Sequence, residues 1–470
     1  MIMANSFYYE NIINSLRFGI VPSKHIEKLT VGRDEIIRQI KTGIEQTASG
    51  RKECMIFEGA FGTGKSHTIN YTKSLAISKN FVVSSISADQ TILFNKMDRV
   101  LNVIIDSMEF PDIKSVNVFD RLLHELLNSS KREQIIDWCD NICLASETEV
   151  KFKLGIKTYA VTSKGMHLDA SEDILRWLRG EKVDEKRIKQ LINTFLNEKQ
   201  GIVSFKIGKN EIIDLIHVLG QMIVAIGYSG WLIMIDECEN FYELSPYNNK
   251  MRHKIFSNLD KLTSGFKNIF TVMTITPGKF DQIYKFFQNI FSEDRSLTIP
   301  GFLMPTERSK IVYKLSSLKI EHYKILLNKI VEVYEKAFVG YKVSIKQKIF
   351  IEQLFQNIDN ITPRLIIKSI IEALDYFYTY NLDPEKLNLN IDFESQLKNY
   401  IEHQAEEINN ENDMYKPGKI IVHKKYGGCK VLEASKLSNG SINLKVLVLR
   451  TNEEKFFDPK FAEFVAKKSK

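Results

Sequence analysis

The chain has 470 residues, of which 44% are hydrophobic and 26% charged, and this composition excludes an intrinsically disordered or fibrous protein. A chain of this length is expected to form about two to four structural units. Its five cysteines are an odd number without CxxC spacing, which argues against a disulfide framework and a structural zinc site. We therefore expect a soluble protein in a reducing compartment, the cytoplasm.

Positive charge is concentrated towards the end of the chain. The net charge is +7, and residues 411–470 contribute +6 of it, from 13 Lys and Arg against 7 Asp and Glu. A basic segment of this kind favours an acidic partner, either nucleic acid or protein. A basic surface that contacts only solvent is an equal alternative.

The first elements along the chain predict a parallel sheet. Helices with one loop extend to about Arg51, and a short apolar strand follows at Cys54–Glu58. A helix is expected from Lys65 to about Ser78, and a second strand over Phe81–Ile86. Strand, glycine-rich turn, helix and strand in this order form a βαβ unit, in which the two strands are parallel.

The middle of the chain predicts further helices and buried strands. A helical insertion occupies about residues 113–208, and an apolar helix follows at Ile212–Ile226. Buried strands are expected at Trp231–Ile235 and Phe270–Thr276.

One apolar window, Leu215–Ile235, has the length of a membrane span. It contains His217 and Gln221 and is interrupted by Tyr-Ser-Gly at 228–230. We interpret it as a helix, a turn and a strand, and we expect no membrane partner.

These patterns predict an α/β fold with four parts. The segment from Glu307 to about Tyr380 is helical in pattern, and short alternating strands follow residue 417. We expect a core at 1–300 that contains the insertion, a helical lid at 301–400, a linker at 401–416 and a small β-barrel at 417–470.

The sequence GAFGTGKS at 59–66 fits the phosphate-binding pattern GxxxxGK[ST], known as Walker A. Glycines let backbone N–H groups surround a phosphate, and the helix that follows directs its positive end at the same group. The lysine reaches the terminal phosphates, and the serine hydroxyl binds Mg²⁺. The residues predicted to bind ATP here are Gly59, Ala60, Phe61, Gly62, Thr63, Gly64, Lys65, Ser66 and His67.

Two acidic residues follow the predicted strand Trp231–Ile235. Asp236 is predicted to hold Mg²⁺, and Glu237 to polarise the attacking water as the catalytic base. The second acid favours ATP hydrolysis over phosphoryl transfer to a metabolite. At the tip of the next strand, Thr274 or Thr276 is a candidate for contacting the water or the γ-phosphate.

Several short segments resemble, in the same order, the ATP-binding BREX phage-defence family of the BrxD type. They are SLRFGIVP at 15–22, VGRD at 31–34, the Walker A segment, LRWLRGE at 175–181, IDECEN at 235–240 and TPG at 276–278. The resemblance covers about the first 375 residues, and LRWLRGE and IDECEN are more specific to the family than the Walker motifs.

The resemblance implies a AAA+ P-loop ATPase core of the ORC/Cdc6-like branch. It implies a bacterial defence ATPase that acts as a homo-oligomer with DNA, a helicase or another protein of the defence system. Val31 would lie near adenine, and Thr276 would be the sensor, although Gly278 stands where the family pattern has Glu.

AAA+ ATPases also place two arginines at the nucleotide, because a planar guanidinium pairs well with phosphate oxygens. Arg295 follows the strand Phe270–Thr276 by about one helix and is the candidate for a finger that acts on a neighbouring subunit. Arg364 begins a later helix and is the candidate sensor arginine. Arg252 is a lesser candidate for a subunit contact, and a surface salt bridge is the alternative for each of them.

The terminal segment resembles a different family. PGKIIVHKKYGGCKV at 417–431 is similar to the Tudor-like barrel at the end of UvrD-type helicases, with Tyr426 in place of the usual Phe. Such barrels bind proteins or nucleic acid, so Lys424 and Lys425 are candidates for phosphate contacts.

Three functions remain open on the sequence. The first is Mg²⁺-dependent ATP hydrolysis that couples ATP-dependent assembly to DNA-processing partners, as a motor or a loader. The second is a slow assembly switch or adaptor without motor activity. The third is target selection of the kind used in transposition.

Overall fold

The computed structural model describes residues 2–22, 25–88, 97–112, 120, 123, 132–140, 146–164, 167–196, 204–206, 211–243, 249–293, 297–356, 362–380, 420–423, 427–436, 442–448, 453–457 and 464–465. These residues form two compact units. The first unit comprises Met1–Val343 and Phe355–Ile371, and the second comprises Ser344–Leu354 and Glu372–Lys470.

The first unit is built on a sheet of five parallel strands in the order β2-β3-β4-β1-β5. The strands are β1 (Glu53–Glu58), β2 (Phe81–Ser87), β3 (Gly230–Asp236), β4 (Ile269–Ile275) and β5 (Val312–Lys314). Strands β3 and β4 are almost continuously apolar and buried, which is typical of parallel strands that are covered on both faces. The predicted α/β fold with a parallel sheet is confirmed.

Helices cover both faces of this sheet. Two hydrophobic clusters lie on its opposite faces, and neighbouring residues of β1 alternate between them: Ile56 belongs to one cluster, and Met55 and Phe57 to the other. The described helices of the first unit, apart from those after β5, are Ile2–Arg17, Ile26–Leu29, Asp34–Ala48, Lys65–Ser78, Met97–Asp106, Arg132–Asp140, Glu147–Lys164, Leu168–Leu178, Glu185–Leu196, Glu211–Ala225, Asn240–Glu243, Asn249–Thr263, Lys279–Glu293, the 3-10 turn Gly301–Leu303, and Pro305–Ile311.

The register of the sheet brings the predicted site residues to one edge. Glu58, at the end of β1, lies beside Ile275 at the end of β4, and Ile235 of β3 lies beside Met273 of β4. The chain leaves all three strands at the same edge, where ligands bind in open parallel sheets. The glycine loop, the acidic pair and the threonines of β4 therefore meet there.

The motif LRWLRGE has a structural role in the insertion. The Trp177 indole N–H donates to the Phe205 carbonyl at 2.9 Å. A Cβ at Gly155 would lie 2.6 Å from the Trp177 ring. Only glycine therefore allows the helices Glu147–Lys164 and Leu168–Leu178 to approach this closely. Arg179 binds the carboxylates of Asp106 and Asp120, which joins the insertion to the helix after β2.

Strand β5 is a difference from the sequence prediction, which assigned helix to the segment after Glu307. Val312 pairs with Ile56 of β1, and the Leu315 N–H donates to the Glu58 carbonyl at 2.7 Å. A strand of three residues is too short for a periodic pattern, so only its pairing with β1 defines it. After it the chain is helical as expected, at Ile320–Ala337, Ile345–Gln356 and Pro363–Tyr380.

The second unit contains a sheet of five antiparallel strands in the order β10-β6-β7-β8-β9. Its strands are β6 (Ile420–His423), β7 (Gly427–Lys436), β8 (Ile442–Val448), β9 (Glu453–Phe457) and β10 (Phe464–Val465). The expected strands are present, and their closure into a barrel stays a prediction. The predicted linker at 401–416 and the side chains of Lys424, Lys425 and Tyr426 lie outside the described residues.

The apolar window Leu215–Ile235 folds as a helix, a turn and strand β3, as predicted. Across the described parts of the chain, no helix combines the length and the apolar character that crossing a membrane requires.

Candidate nucleotide-binding site

The loop between β1 and the helix Lys65–Ser78 forms a tight turn. Gly62 and Gly64 have φ values of +79° and +101°, a conformation that glycine adopts without strain. A Cβ at Gly59 would lie 2.5 Å from the Thr63 hydroxyl oxygen. The Thr63 hydroxyl in turn donates to the Ala60 carbonyl at 2.8 Å, so the loop closes on itself.

Lys65 lies across this loop. Its Nζ donates to the Gly59 carbonyl at 2.8 Å and to the Ala60 carbonyl at 3.4 Å. Both acceptors are neutral, so the ammonium charge remains available to an anion. Phosphate oxygens are stronger acceptors than these carbonyls, because hydrogen bonds between ionised groups are stronger than neutral ones.

Asp236, the last residue of β3, lies opposite the start of this helix. Its Oδ2 is 3.5 Å from the Ser66 hydroxyl. A carboxylate and a hydroxyl are oxygen ligands of the kind that Mg²⁺ prefers, and Mg²⁺ uses few protein ligands when phosphates supply the others. Among the described residues, no group of three or more His, Cys, Asp and Glu side chains is arranged to hold a metal ion. The hydroxyl and carboxylate of this pair fit an ion whose other ligands come from the phosphates of a nucleotide.

Glu237 has an unusual backbone conformation. Its φ is +59°, in the left-handed region that is uncommon for residues other than glycine. Its N–H donates to the Thr274 hydroxyl at 2.8 Å and to Asp236 Oδ1 at 3.1 Å. Its carboxylate accepts a hydrogen bond from the Asn240 amide at 3.1 Å, and the same amide donates to the Ala88 carbonyl at 2.8 Å.

These residues border a cavity of about 390 Å³, which is within the range of small-ligand sites. Most of the predicted nucleotide and metal residues line it: Val31, Phe61, Gly62, Thr63, Gly64, Lys65, Ser66, His67, Asp236, Glu237 and Arg364. Gly59 and Ala60 belong to the loop behind this lining and accept the hydrogen bonds of Lys65.

Much of the remaining lining is apolar, and three segments that are distant from the glycine loop in sequence supply most of it. These are the end of the first helix with the residues after it, the segment Leu29–Val31, and the helix Ile320–Ala337. Their apolar lining residues are Leu16, Ile20, Val21, Pro22, Leu29, Val31, Leu326 and Ile330. Apart from Val31, none was predicted to line the site, although Leu16, Ile20, Val21 and Pro22 belong to the segment 15–22 that resembles the family.

The segment beside Val31 is held in place from both sides. The Thr30 hydroxyl and His67 Nε2 are 2.8 Å apart, and Lys329 Nζ donates to the Thr30 carbonyl at 2.9 Å. The buried Arg33 donates to the Thr63 carbonyl at 2.8 Å. Burial and then the charge of Arg33 lower the pKa of His67 to about 4, so this imidazole is neutral near pH 7.

Arg364 reaches the cavity from the start of the helix Pro363–Tyr380. Its Nε donates to the Gly19 carbonyl at 3.0 Å. Gly19 has φ +67°, and a Cβ there would lie 2.8 Å from this nitrogen. A glycine at this position thus lets the arginine approach the segment after the first helix.

The remaining candidates lie elsewhere. The Thr276 hydroxyl donates to the Glu239 carboxylate, and Thr276 is not among the cavity-lining residues. The Arg252 guanidinium lies 4.5 Å from the Tyr242 ring centre and 5.0 Å from that of Phe286, and its role in a subunit contact stays a prediction. Arg295 lies outside the residues that the structure describes.

The sequence profile of one family, described as BREX system ATP-binding protein BrxC/D, matches residues 7–389. The chain belongs to this family. The predicted resemblance is confirmed, and the protein is an ATP-binding protein of the BREX type. No curated protein matches the chain.

A solved structure, the Aeropyrum pernix ORC1 protein in complex with DNA, is similar at 10% sequence identity with a TM-score of 0.32. The match covers 77% of this chain and 64% of that chain. A likeness this distant carries no conclusion about fold or function, so the assignment to the ORC/Cdc6-like branch stays a prediction.

Family membership fits the mixed lining of the cavity, which has both apolar and charged residues. An ATP-binding protein needs one place for an apolar base and another for charged phosphates. The base can be accommodated by the apolar lining that includes Leu16 and Val31, and the phosphates by the glycine loop with Lys65. The residues present therefore fit ATP together with Mg²⁺.

Proposed function

We propose that the protein binds ATP with Mg²⁺ in this cavity and hydrolyses it. The observation that supports the proposal is the convergence of Lys65, Ser66, Asp236 and Glu237 on one cavity. Lys65 and Ser66 begin one helix and the two acids end β3, so two elements supply the phosphate contacts and the catalytic base.

Each group has a defined task in the proposal. Ser66 and Asp236 hold Mg²⁺, which offsets negative charge on the phosphates. Lys65 exchanges its contacts with the loop carbonyls for phosphate oxygens. Glu237 accepts the proton of the attacking water, and Arg364 contacts the terminal phosphate in place of the Gly19 carbonyl.

Two residues have less direct roles. The Thr276 hydroxyl donates a hydrogen bond to the Glu239 carboxylate. Any effect of Thr276 on hydrolysis would therefore be transmitted through Glu239. Arg295 belongs to the proposal as a finger from a neighbouring subunit of a homo-oligomer. A mixture of Arg295→Ala and Glu237→Gln subunits is expected to recover part of the turnover, and no recovery in any ratio would exclude a finger in trans.

The biological setting follows from the family. We propose a role in a cytoplasmic antiphage defence system, in which ATP-dependent assembly is coupled to DNA, a helicase or another defence protein. The basic composition of residues 411–470 makes the second unit the candidate for contact with DNA. DNA affinity should then fall steeply with salt, and deletion of the residues after Lys416 should flatten that dependence.

A slow switch is the second candidate, and one contact favours it. The Asn240 amide donates to one carboxylate oxygen of Glu237, Oε2, at 3.1 Å and so anchors the predicted base. Turnover would be slow if this anchored carboxylate cannot turn its other oxygen, Oε1, towards the attacking water.

ATP turnover, measured with and without DNA, tests the proposal. Wild type is expected to hydrolyse ATP, and Glu237→Gln to lose about a hundredfold or more of that rate while it retains nucleotide binding. Strong stimulation by DNA would favour a motor, and slow turnover that ignores DNA would favour the switch. Equal rates for Glu237→Gln and wild type would exclude Glu237 as the base.

A further inference from the structure

Strand β4 contains two fully buried threonines that face opposite sides of the sheet, Thr271 and Thr274. The Thr271 hydroxyl donates to the Leu262 carbonyl at 3.2 Å, away from the cavity. The Thr274 hydroxyl instead contacts both acids of the site. The strand therefore provides a functional candidate and a matched control.

A hydroxyl has one proton to donate and lone pairs to accept with, and Thr274 uses both. Its O–H donates to Asp236 Oδ1. The other carboxylate oxygen, Oδ2, is the one that lies 3.5 Å from the Ser66 hydroxyl. The hydroxyl thus occupies Oδ1 and leaves Oδ2 directed at the predicted metal position.

The same hydroxyl oxygen also accepts a hydrogen bond from the backbone of Glu237. The Glu237 N–H donates to it at 2.8 Å, and the Cys238 N–H donates to the Thr274 carbonyl at 3.0 Å. These two bonds fix the turn after β3, in which Glu237 has φ +59°. A left-handed conformation costs about 1 kcal/mol or more and persists only where neighbouring contacts impose it.

We propose that Thr274 is a positioning residue, which sets the metal-facing oxygen of Asp236 and the direction of Glu237 through one hydroxyl. The inference rests on the proposed function and deepens it. It also separates Thr274 from Thr276, whose hydroxyl serves Glu239.

Valine has nearly the shape of threonine without its hydroxyl. In Thr274→Val, Asp236 Oδ1 would lose its hydroxyl donor, and its 3.1 Å contact with the Glu237 N–H would be the one that remains of these bonds. Both acids would then be held less firmly, because each loses one of the hydrogen bonds that fix its position. Shape and burial are preserved, so the change tests the hydroxyl itself.

The experiment compares Thr274→Val, Thr274→Ser and Thr271→Val in the full chain. Affinity for a fluorescent ATP analogue is measured with Mg²⁺ and with EDTA, and turnover is measured alongside. In Thr274→Val we expect the affinity gained from Mg²⁺ and the kcat to fall about 10–100-fold, with affinity in EDTA unchanged. Thr274→Ser should restore both, and Thr271→Val should match wild type.

Two outcomes would overturn the inference. One is a wild-type Mg²⁺ gain in Thr274→Val, and the other is an equal loss in Thr271→Val, which would indicate a general effect of removing a buried hydroxyl. If Thr274→Val does not fold, Thr274→Cys, which carries a weaker donor, should give an intermediate Mg²⁺ gain, and a wild-type gain would count against the inference. A wild type without any Mg²⁺ gain or turnover would instead refute the proposed function.

Discussion

In the helical insertion, buried lysines are neutralised by carboxylates. Lys151 lies 2.9 Å from Glu147 and 3.2 Å from Glu211. Lys153 lies 3.3 Å from Glu149, and both side chains are buried. Each of these cations already has an opposite charge beside it.

At the nucleotide site, the cations are held by neutral groups. Lys65 donates to the Gly59 carbonyl and Arg364 to the Gly19 carbonyl. A carbonyl satisfies a hydrogen bond without cancelling the charge, so both side chains can still attract phosphate. The comparison teaches that the partner of a cation, more than its burial, separates a structural role from a ligand-binding one.

The largest effect is expected from Lys65→Ala. Loss of the ammonium removes the direct contact with the terminal phosphates, so turnover should fall about a thousandfold, and ATP affinity should fall with it. Binding of a fluorescent ATP analogue and release of phosphate measure the two effects. Lys73→Ala is the control, because Lys73 lies on the same helix and is already paired with Glu109. Unchanged binding and turnover in Lys65→Ala would refute the site.

A change in the insertion should lower the stability of the protein and leave its turnover unchanged. Lys153→Met leaves Glu149 as an uncompensated buried charge, which should lower the free energy of unfolding by about 3–5 kcal/mol. Turnover per folded molecule should stay at the wild-type value. Chemical denaturation and turnover measured on the same sample test both statements.

A double variant sharpens this result. Lys153→Met combined with Glu149→Gln removes both charges, and much of the stability should return because no unpaired charge remains. If the double variant were as unstable as the sum of the single changes, the pair would not be acting through its charges.

The short motifs of the site could be predicted from the sequence, but the apolar wall of the cavity, which includes Leu16, Leu29 and Leu326, could not. The glycine loop and the acidic pair each occupy a few consecutive residues beside an apolar strand, so periodicity and spacing are sufficient to find them. The apolar wall depends on contacts such as Arg364 with Gly19 and Lys329 with Thr30, which are 345 and 299 residues apart in sequence. No local pattern encodes such distances.

The threonines of β4 show a finer limit of sequence reasoning. Spacing placed both Thr274 and Thr276 near the edge of the sheet, where either could contact the site. Hydrogen bonding separates them, because Thr274 contacts Asp236 and Thr276 contacts Glu239. The direction of each hydroxyl depends on the turn after β3, which the sequence of β4 does not specify.

A smaller effect is expected from pH at His67, which lines the cavity and contacts the Thr30 hydroxyl. Its pKa is lowered from 6.5 to about 4 in the folded protein. The unfolded chain therefore binds this proton first as the pH falls, and stability that is present above pH 6.5 should be lost towards pH 4. The loss should be of order 1–3 kcal/mol. We place it below the full value that the pKa shift implies, because water reaches part of the side chain. Denaturation curves of wild type and His67→Asn at several pH values measure it, and an equal loss in both proteins would exclude His67 as the source.

The smallest effect is expected from Arg38→Ala. This variant tests whether an exposed charged pair by itself contributes to the free energy of unfolding. Arg38 lies 2.7 Å from Glu35, and their side chains are 70% and 62% exposed. Water already solvates both charges, so removal of the arginine should change the free energy of unfolding by less than about 0.5 kcal/mol. Turnover should also stay unchanged, because Arg38 is not among the cavity-lining residues. A loss comparable with that of Lys153→Met would mean that pairing, and not the desolvation of an unpaired charge, sets the cost in the insertion.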